Sequence, residues 1–170
     1  GNKDEANQLA QTLEKQHLEY SKELLDEAHY KEAEAALNVY FTELQWGIDG
    51  ADASRYDYSY DQIVCIGEIL STRIFSIYLQ QQGILQEWVD VRDVIRTDDT
   101  YRDARVDWDY SKQQAEQVIG RHLQKGISVV TQGLIGTTPD NNSTTLGREG
   151  SDYTAALLAA MLGANGVTIW

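Results

Sequence analysis

Cysteine and proline are almost absent from this chain of 170 residues, which contains one of each. The single cysteine, Cys65, excludes an intramolecular disulfide framework and a zinc site built from several cysteines. Cys65 lies in an apolar helical run, which favours a buried, unreactive thiol. With 42% hydrophobic and 24% charged residues, the composition is that of a soluble globular protein of one domain.

Positively charged residues are also scarce: 14 Lys and Arg stand against 27 Asp and Glu, for a formal net charge of −13. A nucleic-acid-binding domain needs a basic footprint, so no nucleic acid partner is predicted. An anionic membrane surface is disfavoured for the same reason, and neither a secretory segment nor an apolar run of membrane length is recognised. We expect a cytoplasmic protein. A small anionic substrate stays open, because local arginines outweigh a distant net charge.

Common nucleotide and metal motifs are missing as well. The sequence has no Gly-x-x-x-x-Gly-Lys-Ser/Thr loop and no Gly-x-Gly-x-x-Gly. The three histidines have no partners at metal-ligand spacing, so no metal site is predicted. Aspartates between residues 93 and 109 leave a carboxylate cluster open, although aspartates that cap helices and form turns are the commoner case.

Apolar periodicity predicts an α/β protein with a helix-rich N-terminal region and a mainly parallel sheet. We expect four long helices, a short final helix and three strands. The long helices are predicted near residues 9–28, 31–46, 61–82 and 111–125. The strands are predicted at 88–91, 127–134 and 167–170, with a loop at 136–147 and the last helix at 152–162.

The strongest functional signal lies between residues 131 and 153. A β-rich run leads into Thr131-Gln132-Gly133, and Leu146-Gly147-Arg148-Glu149-Gly150-Ser151-Asp152-Tyr153 leads into an Ala/Leu-rich helix. The N-terminus of a helix offers unpaired N–H groups and a positive dipole end, which suit an anion. This arrangement predicts binding or chemistry on a carboxylate or phosphate. The alternative is structural: Ser151 as an ordinary N-cap, Asp152 as a first-turn acid and Arg148 as a surface residue.

Glu68 is a second candidate, because it lies on a predicted helix that is apolar nearly all round. Buried acids are rare unless a cation or a hydrogen-bonding ligand pairs with them. A side chain that simply points to water is the alternative.

Three blocks of this sequence resemble those of the aspartate kinases, a branch of the amino-acid kinase family. The first is Gly67-Glu68-Ile69-Leu70-Ser71-Thr72. The second joins Trp88-Val89-Asp90-Val91-Arg92 to Arg96-Thr97-Asp98-Asp99. The third is the segment from Thr131 to Tyr153. The resemblance covers about residues 60–170 and implies part of the family's α/β/α sandwich, with a helical region at 1–56 and an aspartate-binding α/β part at 57–170.

The resemblance also implies an activity and roles for individual residues. Such enzymes transfer the γ-phosphoryl group of Mg-ATP to the side-chain carboxylate of L-aspartate, which yields 4-phospho-L-aspartate. Arg148 matches the arginine that binds the substrate carboxylate, and Glu68 matches the acid that pairs with its α-ammonium. Gly150 and Ser151 match donors near the reacting carboxylate, and Asp152 matches the catalytic aspartate.

Some family features are not found. The sequence has no Lys-Phe-Gly-Gly-Thr-Ser strand, no nucleotide-binding half after Trp170 and no ACT domains, and Glu149 stands where many members have glycine. We therefore expect an internal piece of the catalytic domain that binds no nucleotide, has no kinase activity alone and forms a homo-oligomer. A different amino-acid kinase and a non-catalytic helical assembly module stay open. A fusion to homoserine dehydrogenase and the identity of a feedback inhibitor are not encoded in these residues.

Overall fold

The computed structural model describes residues 2–170, and the chain divides into two compact units between Gln86 and Glu87. The first unit holds three long helices: α1 (Lys3–Leu24), α2 (Glu27–Asp49) and α3 (Tyr56–Gln81), with a 3-10 turn at Ala53–Arg55. The second holds the hairpin and the site described below. The family resemblance places a boundary between a helical region at 1–56 and an aspartate-binding part at 57–170. This boundary stays a prediction.

Helix α2 packs against both α1 and α3 and supplies most of the core of the first unit. Its N-cap Asp26 accepts a hydrogen bond of 3.0 Å from the N–H of His29, which starts the helix. Its buried side chains recur every three or four residues, as one helical face requires. They are Ala33, Leu37, Phe41, Leu44 and Ile48.

Helix α1 forms where the sequence predicts it, but its apolar stripe is not the face that packs. Leu9, Leu13, Tyr20 and Leu24 are 60%, 45%, 66% and 44% exposed. Ser21 is the buried residue of this helix instead. The sequence predicts that these four residues and Ala28 lie on one helix. The helix instead ends at Leu24, and Ala28 belongs to α2.

Helix α3 and the turn before it, Ala53–Gln81, are long and apolar enough to cross a membrane, since an 18-residue window within this segment has a mean hydropathy of 1.3. The expectation that no run of this length exists is therefore wrong. Core helices of soluble proteins meet the same criterion, and 33% of the apolar window is buried within the structure.

The second unit contains two pairs of strands. β1 (Gln86–Val89) and β2 (Ser128–Thr131) form a short parallel sheet. The connection between them holds α4 (Trp108–Ala115), a π-helical turn (Glu116–Gly120) and α5 (Arg121–Gln124). A helical crossover is what a parallel pair requires. Helix α6 (Gly150–Leu162) packs against α4.

The second pair is an antiparallel hairpin that the sequence did not predict. β3 (Ile135–Thr137) pairs with β4 (Ser143–Thr145) in the predicted loop, with Gly136 opposite Thr144. Its strands are rich in Ser and Thr, yet all six residues are buried. The Thr97 N–H donates to the Thr137 carbonyl at 2.8 Å, so the segment around Thr97 pairs with β3.

The predicted closing strand at 167–170 is not formed. Residues 164–170 have no regular structure, and Trp170 is exposed. A strand needs a neighbour to satisfy its backbone groups, and no strand among residues 2–170 pairs with this segment.

Candidate active site

The segment after β2 lies at the carboxyl end of a parallel strand pair, where α/β sheets usually bind ligands. The buried Gln132 side chain accepts a hydrogen bond of 2.7 Å from the N–H of Val91, just beyond β1. The Thr131 hydroxyl donates to the Val89 carbonyl at 2.8 Å. These two bonds fix the edge of the sheet from which Gly133 continues.

Two glycines let this edge touch the start of α6 without an intervening side chain. A Cβ on Gly133 would lie 2.8 Å from the Cα of Ser151 and 2.9 Å from its Cβ. A Cβ on Gly150 would lie 2.5 Å from the Cδ1 of Leu134. The Cα of Leu134 would also lie only 3.2 Å from a Cβ on Gly150. All these distances are inside van der Waals contact, so a side chain at either position would force the strand end and the helix apart.

Leu134 holds the junction together through its backbone. Its φ of 71° is left-handed, its N–H donates to the Thr154 hydroxyl at 3.0 Å, and its carbonyl accepts from the Leu146 N–H at 2.7 Å. The Thr154 hydroxyl in turn donates to the Gly150 carbonyl at 2.9 Å. The strand end, the chain before Arg148 and the first turn of α6 therefore form one bonded cluster.

The start of α6 differs from the sequence-based prediction. The N-cap is Glu149, in the left-handed conformation (φ 60°, ψ 23°) and without a side-chain capping bond, and the helix begins at Gly150. Ser151 is thus a first-turn residue, and its prediction as the N-cap is wrong. Asp152 lies in the first turn, as predicted. The N–H groups of Ser151 and Asp152 have no acceptor within the helix, since they precede its first intrahelical bond.

Arg148 lies immediately before this helix start, and its side chain is 95% exposed. Its Nε is 4.0 Å from a carboxylate oxygen of Glu149, whose side chain is 77% exposed. An ion pair this long and this exposed contributes little. The guanidinium is therefore accessible to a ligand, next to N–H groups and a dipole end of the same sign.

Glu68 lies in the middle of α3, in the other compact unit, and is half-buried. Desolvation raises the pKa of its carboxyl above the usual 4.5. Among residues 2–170, no cation pairs with it. The prediction of an acid on an apolar helix is confirmed, while its pairing with a ligand stays a prediction.

No three His, Cys, Asp or Glu side chains of residues 2–170 come close enough to hold a metal ion. The carboxylate cluster that the aspartates at 93–109 left open is not formed. Magnesium bound with a nucleotide is usually held by one or two carboxylates together with phosphates and water, so no chemical step is assigned to such a group within this chain.

Comparison with known proteins places the chain in a family. The model of the amino acid kinase family matches residues 2–170. The chain belongs to the amino acid kinase family. It is 43% identical over 110 residues to lysine-sensitive aspartokinase 3 of Escherichia coli, which covers 65% of this chain and 24% of that relative. It is 30% identical over 165 residues to E. coli bifunctional aspartokinase/homoserine dehydrogenase 2, covering 97% of this chain and 20% of the relative.

Solved structures of family members agree. E. coli aspartokinase III with lysine and aspartate matches with a TM-score of 0.77 and 33% identity, over 84% of this chain and 32% of that one. The same enzyme with aspartate and ADP matches with a TM-score of 0.73 and 35% identity, over 79% and 30% of the two chains. The α/β fold class inferred from the sequence is confirmed. The chain spans a quarter or less of the length of the two curated relatives named above.

Sequence reasoning found four residues that the structure brings to one junction of this family member, namely Arg148, Gly150, Ser151 and Asp152. It did not find the roles of Gln132, Thr154 and the two glycine contacts. The only signal for Thr154 was its position four residues after Gly150, where a hydroxyl can reach the carbonyl one turn earlier.

Replacing Gly133 tests the contact between the strand end and α6. We expect Gly133→Ala to destabilise the chain by about 1–3 kcal/mol, because α6 must move to admit the methyl group. Urea unfolding measures the difference. Gly166→Ala is the matched control, since a Cβ there meets nothing within 4 Å and φ is not positive. Equal stability of the two variants would contradict the contact.

Glu68 makes a prediction about pH. Because its pKa is raised in the folded state, the folded protein binds this proton more tightly than the unfolded chain does. Wild-type stability therefore falls, relative to a neutral residue, as pH rises from about 4.5 through the raised pKa. We expect Glu68→Gln to be more stable than wild type at neutral pH, and this advantage to vanish below the usual pKa.

Urea unfolding across this pH range measures the effect. Glu23→Gln, at an exposed position of α1, controls for the loss of one negative charge. A stability difference for Glu68→Gln that stays constant with pH would show that desolvation of the carboxylate is not its cause.

Proposed function

We propose that this chain forms the aspartate-binding part of an aspartate kinase, which phosphorylates the side-chain carboxylate of L-aspartate to give 4-phospho-L-aspartate. The observation that carries the proposal is the accessible Arg148 directly before the start of α6, where N–H groups of the first turn are unpaired. The similarity to E. coli aspartokinase III, solved with aspartate, supports the choice of substrate.

The roles follow from the chemistry of each group. The Arg148 guanidinium binds a carboxylate as a planar fork with two parallel hydrogen bonds. Ser151 adds a backbone donor and a hydroxyl near the same carboxylate, and Gly150, whose N–H donates to the Gly147 carbonyl at 3.2 Å, lets the backbone approach it without a side chain. Asp152, exposed in the first turn, orients charged groups around the phosphoryl group in transfer. Glu68 pairs with the α-ammonium of the substrate, a role that rests on the sequence resemblance.

The phosphoryl donor is proposed for a longer protein that contains this chain. There Mg-ATP supplies the γ-phosphoryl group, which the carboxylate oxygen accepts while ADP leaves. E. coli aspartokinase III has been solved with ADP, which supports nucleotide use. Because the chain spans only 24% and 20% of the two aspartokinases to which it is similar, we expect this chain alone to bind no nucleotide and to lack kinase activity.

The proposed setting of the enzyme is the cytoplasm, with no nucleic acid or membrane partner. The net charge of −13 supports the absence of nucleic acid and anionic membrane partners, since it opposes binding to polyanions. Another amino-acid kinase with a different acceptor is the competing enzyme. A panel of amino-acid and nucleotide acceptors assayed on a longer protein that contains this chain separates the two.

Substitution of Arg148 tests the function. We expect this chain to bind L-aspartate in isothermal titration, and Arg148→Ala to weaken binding about 10- to 100-fold, the usual worth of hydrogen bonds to a charged group. Arg148→Lys keeps the charge but loses the fork, so it should fall between the two. Arg121→Ala, on α5, controls for the loss of a positive charge. A folded chain that binds no L-aspartate would contradict the proposed site.

A second proposed function, assembly, is favoured by one observation on α1. Its four exposed apolar residues are spaced by four, seven and four positions, which is symmetric about the middle of the helix. Two antiparallel copies of α1 would place Leu9 opposite Leu24 and Leu13 opposite Tyr20. Such a self-complementary patch is what a two-fold interface requires, so we propose a second copy of this chain as its partner.

Analytical ultracentrifugation tests this assembly. We expect a reversible dimer, and we expect Leu13→Glu to shift it to monomer because the new charges would be buried against apolar side chains. Gln11→Glu, at another exposed position of α1, adds the same charge and should leave the dimer intact. A monomer over the whole concentration range would rule out α1 pairing.

A further inference from the structure

A closed loop formed by Asp98–Arg105 lies within the second unit. Thr97 and Val106 form an antiparallel bridge at its base, and the Asp98 N–H donates to the Arg105 carbonyl at 2.9 Å. The Asp98 carboxylate closes the loop from inside, since its Oδ1 accepts from the N–H of Arg105 at 2.9 Å and of Thr100 at 3.1 Å. Hydrogen bonds at its base and inside it thus hold the loop in one conformation.

The charge of Asp98 agrees with this bonding. Partial desolvation acts to raise the pKa of its carboxyl, but hydrogen bonds from the N–H groups of Arg105 and Thr100 and from the Thr100 hydroxyl, together with the charge of Arg105, hold the pKa below its usual value. The carboxylate form is therefore the one that the loop stabilises.

This loop contacts the chain just before Arg148. The Ala104 N–H donates to the Thr145 carbonyl at 3.0 Å, at the end of β4. Gly147 has a left-handed φ of 79°, and a Cβ placed on it would lie 2.8 Å from Asp103 Oδ1 and 3.2 Å from the Arg102 carbonyl oxygen. The Asp103 carboxylate therefore occupies the space that a side chain on residue 147 would take, next to the Cα of Gly147.

The other side of the same segment is held by two backbone hydrogen bonds. The Leu146 N–H donates to the Leu134 carbonyl at 2.7 Å, and the Gly150 N–H donates to the Gly147 carbonyl at 3.2 Å. Within residues 2–170, the exposed Arg148 side chain has only a long ion pair with Glu149. The point from which this side chain extends is therefore fixed by the backbone of Gly147, which Leu146 and the loop support from two sides.

We propose that Asp103 is a positioning residue for carboxylate binding by Arg148, acting through its contact with the backbone of Gly147. The proposal rests on the proposed function of Arg148. It assigns the Asp98–Arg105 loop a part in substrate binding, although Asp103 itself need not touch the substrate.

The negative charge of Asp103 makes the proposal testable by the direction in which L-aspartate affinity changes. Asp103 is an acid beside a site that binds an anion, so electrostatics alone predicts that removing it strengthens L-aspartate binding. Positioning predicts the reverse, because a displaced guanidinium loses its paired hydrogen bonds. The two explanations cannot give the same result.

The experiment titrates L-aspartate into wild type, Asp103→Ala, Asp103→Asn and Asp99→Ala chains. We expect Asp103→Ala to bind about tenfold more weakly, the effect of about 1.4 kcal/mol. Asp103→Asn keeps the shape and an oxygen and should restore binding. Asp99→Ala removes an acid from the same loop and should bind as tightly as wild type or more tightly. Unchanged or tighter binding by Asp103→Ala would overturn the proposal.

Amide hydrogen exchange gives a second readout that needs no ligand. In Asp103→Ala we expect the N–H of Gly150 to exchange about tenfold faster than in wild type, because local opening of the Gly147 segment becomes easier. The Val91 N–H, bonded to Gln132, should keep its protection and shows that the unit is folded. Unchanged exchange at Gly150 would overturn positioning.

The two readouts separate failure of this proposal from failure of the proposed function. If wild type binds no L-aspartate, the function proposed for Arg148 fails, while exchange at Gly150 still decides whether Asp103 supports the Gly147 segment. If Asp103→Ala loses the protection of Val91 as well, Asp103→Ser, with a short polar side chain, takes its place under the same criteria.

Discussion

The absence of a side chain at Gly133 and Gly150 is the constraint on which the candidate site depends. The end of β2 and the first turn of α6 approach so closely that a methyl group on either glycine would overlap Ser151 or Leu134. Because the helix start sits against the sheet edge, its unpaired N–H groups and Arg148 occupy a fixed place at the carboxyl end of the strands. Without this contact, the same residues would lie on an ordinary surface loop.

Buried hydroxyl and amide groups lie around this contact, beside buried apolar side chains such as Ile135 and Leu146. Gln132 and Thr154 bond to backbone groups on both sides of it, and the hydroxyls of Thr97 and Thr144 bond to each other at 2.8 Å. A satisfied buried network is directional, because each group has one geometry in which its partner is reached. Losing one partner leaves the other unsatisfied at a cost of about 1–3 kcal/mol. Such a network suits a site that must hold backbone donors in place.

The sequence predicted what depends on local pattern and missed what depends on distant contacts. The 3.6-residue period located α2 and α3, and the Arg148–Asp152 segment was recognised as a helix start. The face of α1 that packs was predicted wrongly, since Leu9 and Tyr20 are apolar yet exposed, and periodicity does not show which stripe meets a neighbour. The hairpin was missed because its Ser and Thr residues are typical of a polar loop. They are buried through tertiary contacts, which no local pattern records.

The helix start itself shows the same limit. Ser151 is a favoured N-cap residue, but Glu149 adopts the left-handed conformation and takes the cap position, so the helix begins at Gly150. A non-glycine residue rarely adopts this conformation, and here Gly150 must contact Leu134. Packing thus overrides capping preference at the site, while helix α6 beyond it follows its sequence.

The π-helical turn at Glu116–Gly120 has a consequence for how related chains compare. A π turn holds one residue more than an α turn, so it absorbs a one-residue difference in length within the helix. Before this turn, the Ser111 hydroxyl accepts a hydrogen bond from the Arg96 N–H, and after it the chain leads into β2. Relatives that lack this extra residue should superimpose on both ends of the connection, with the difference confined to a single turn.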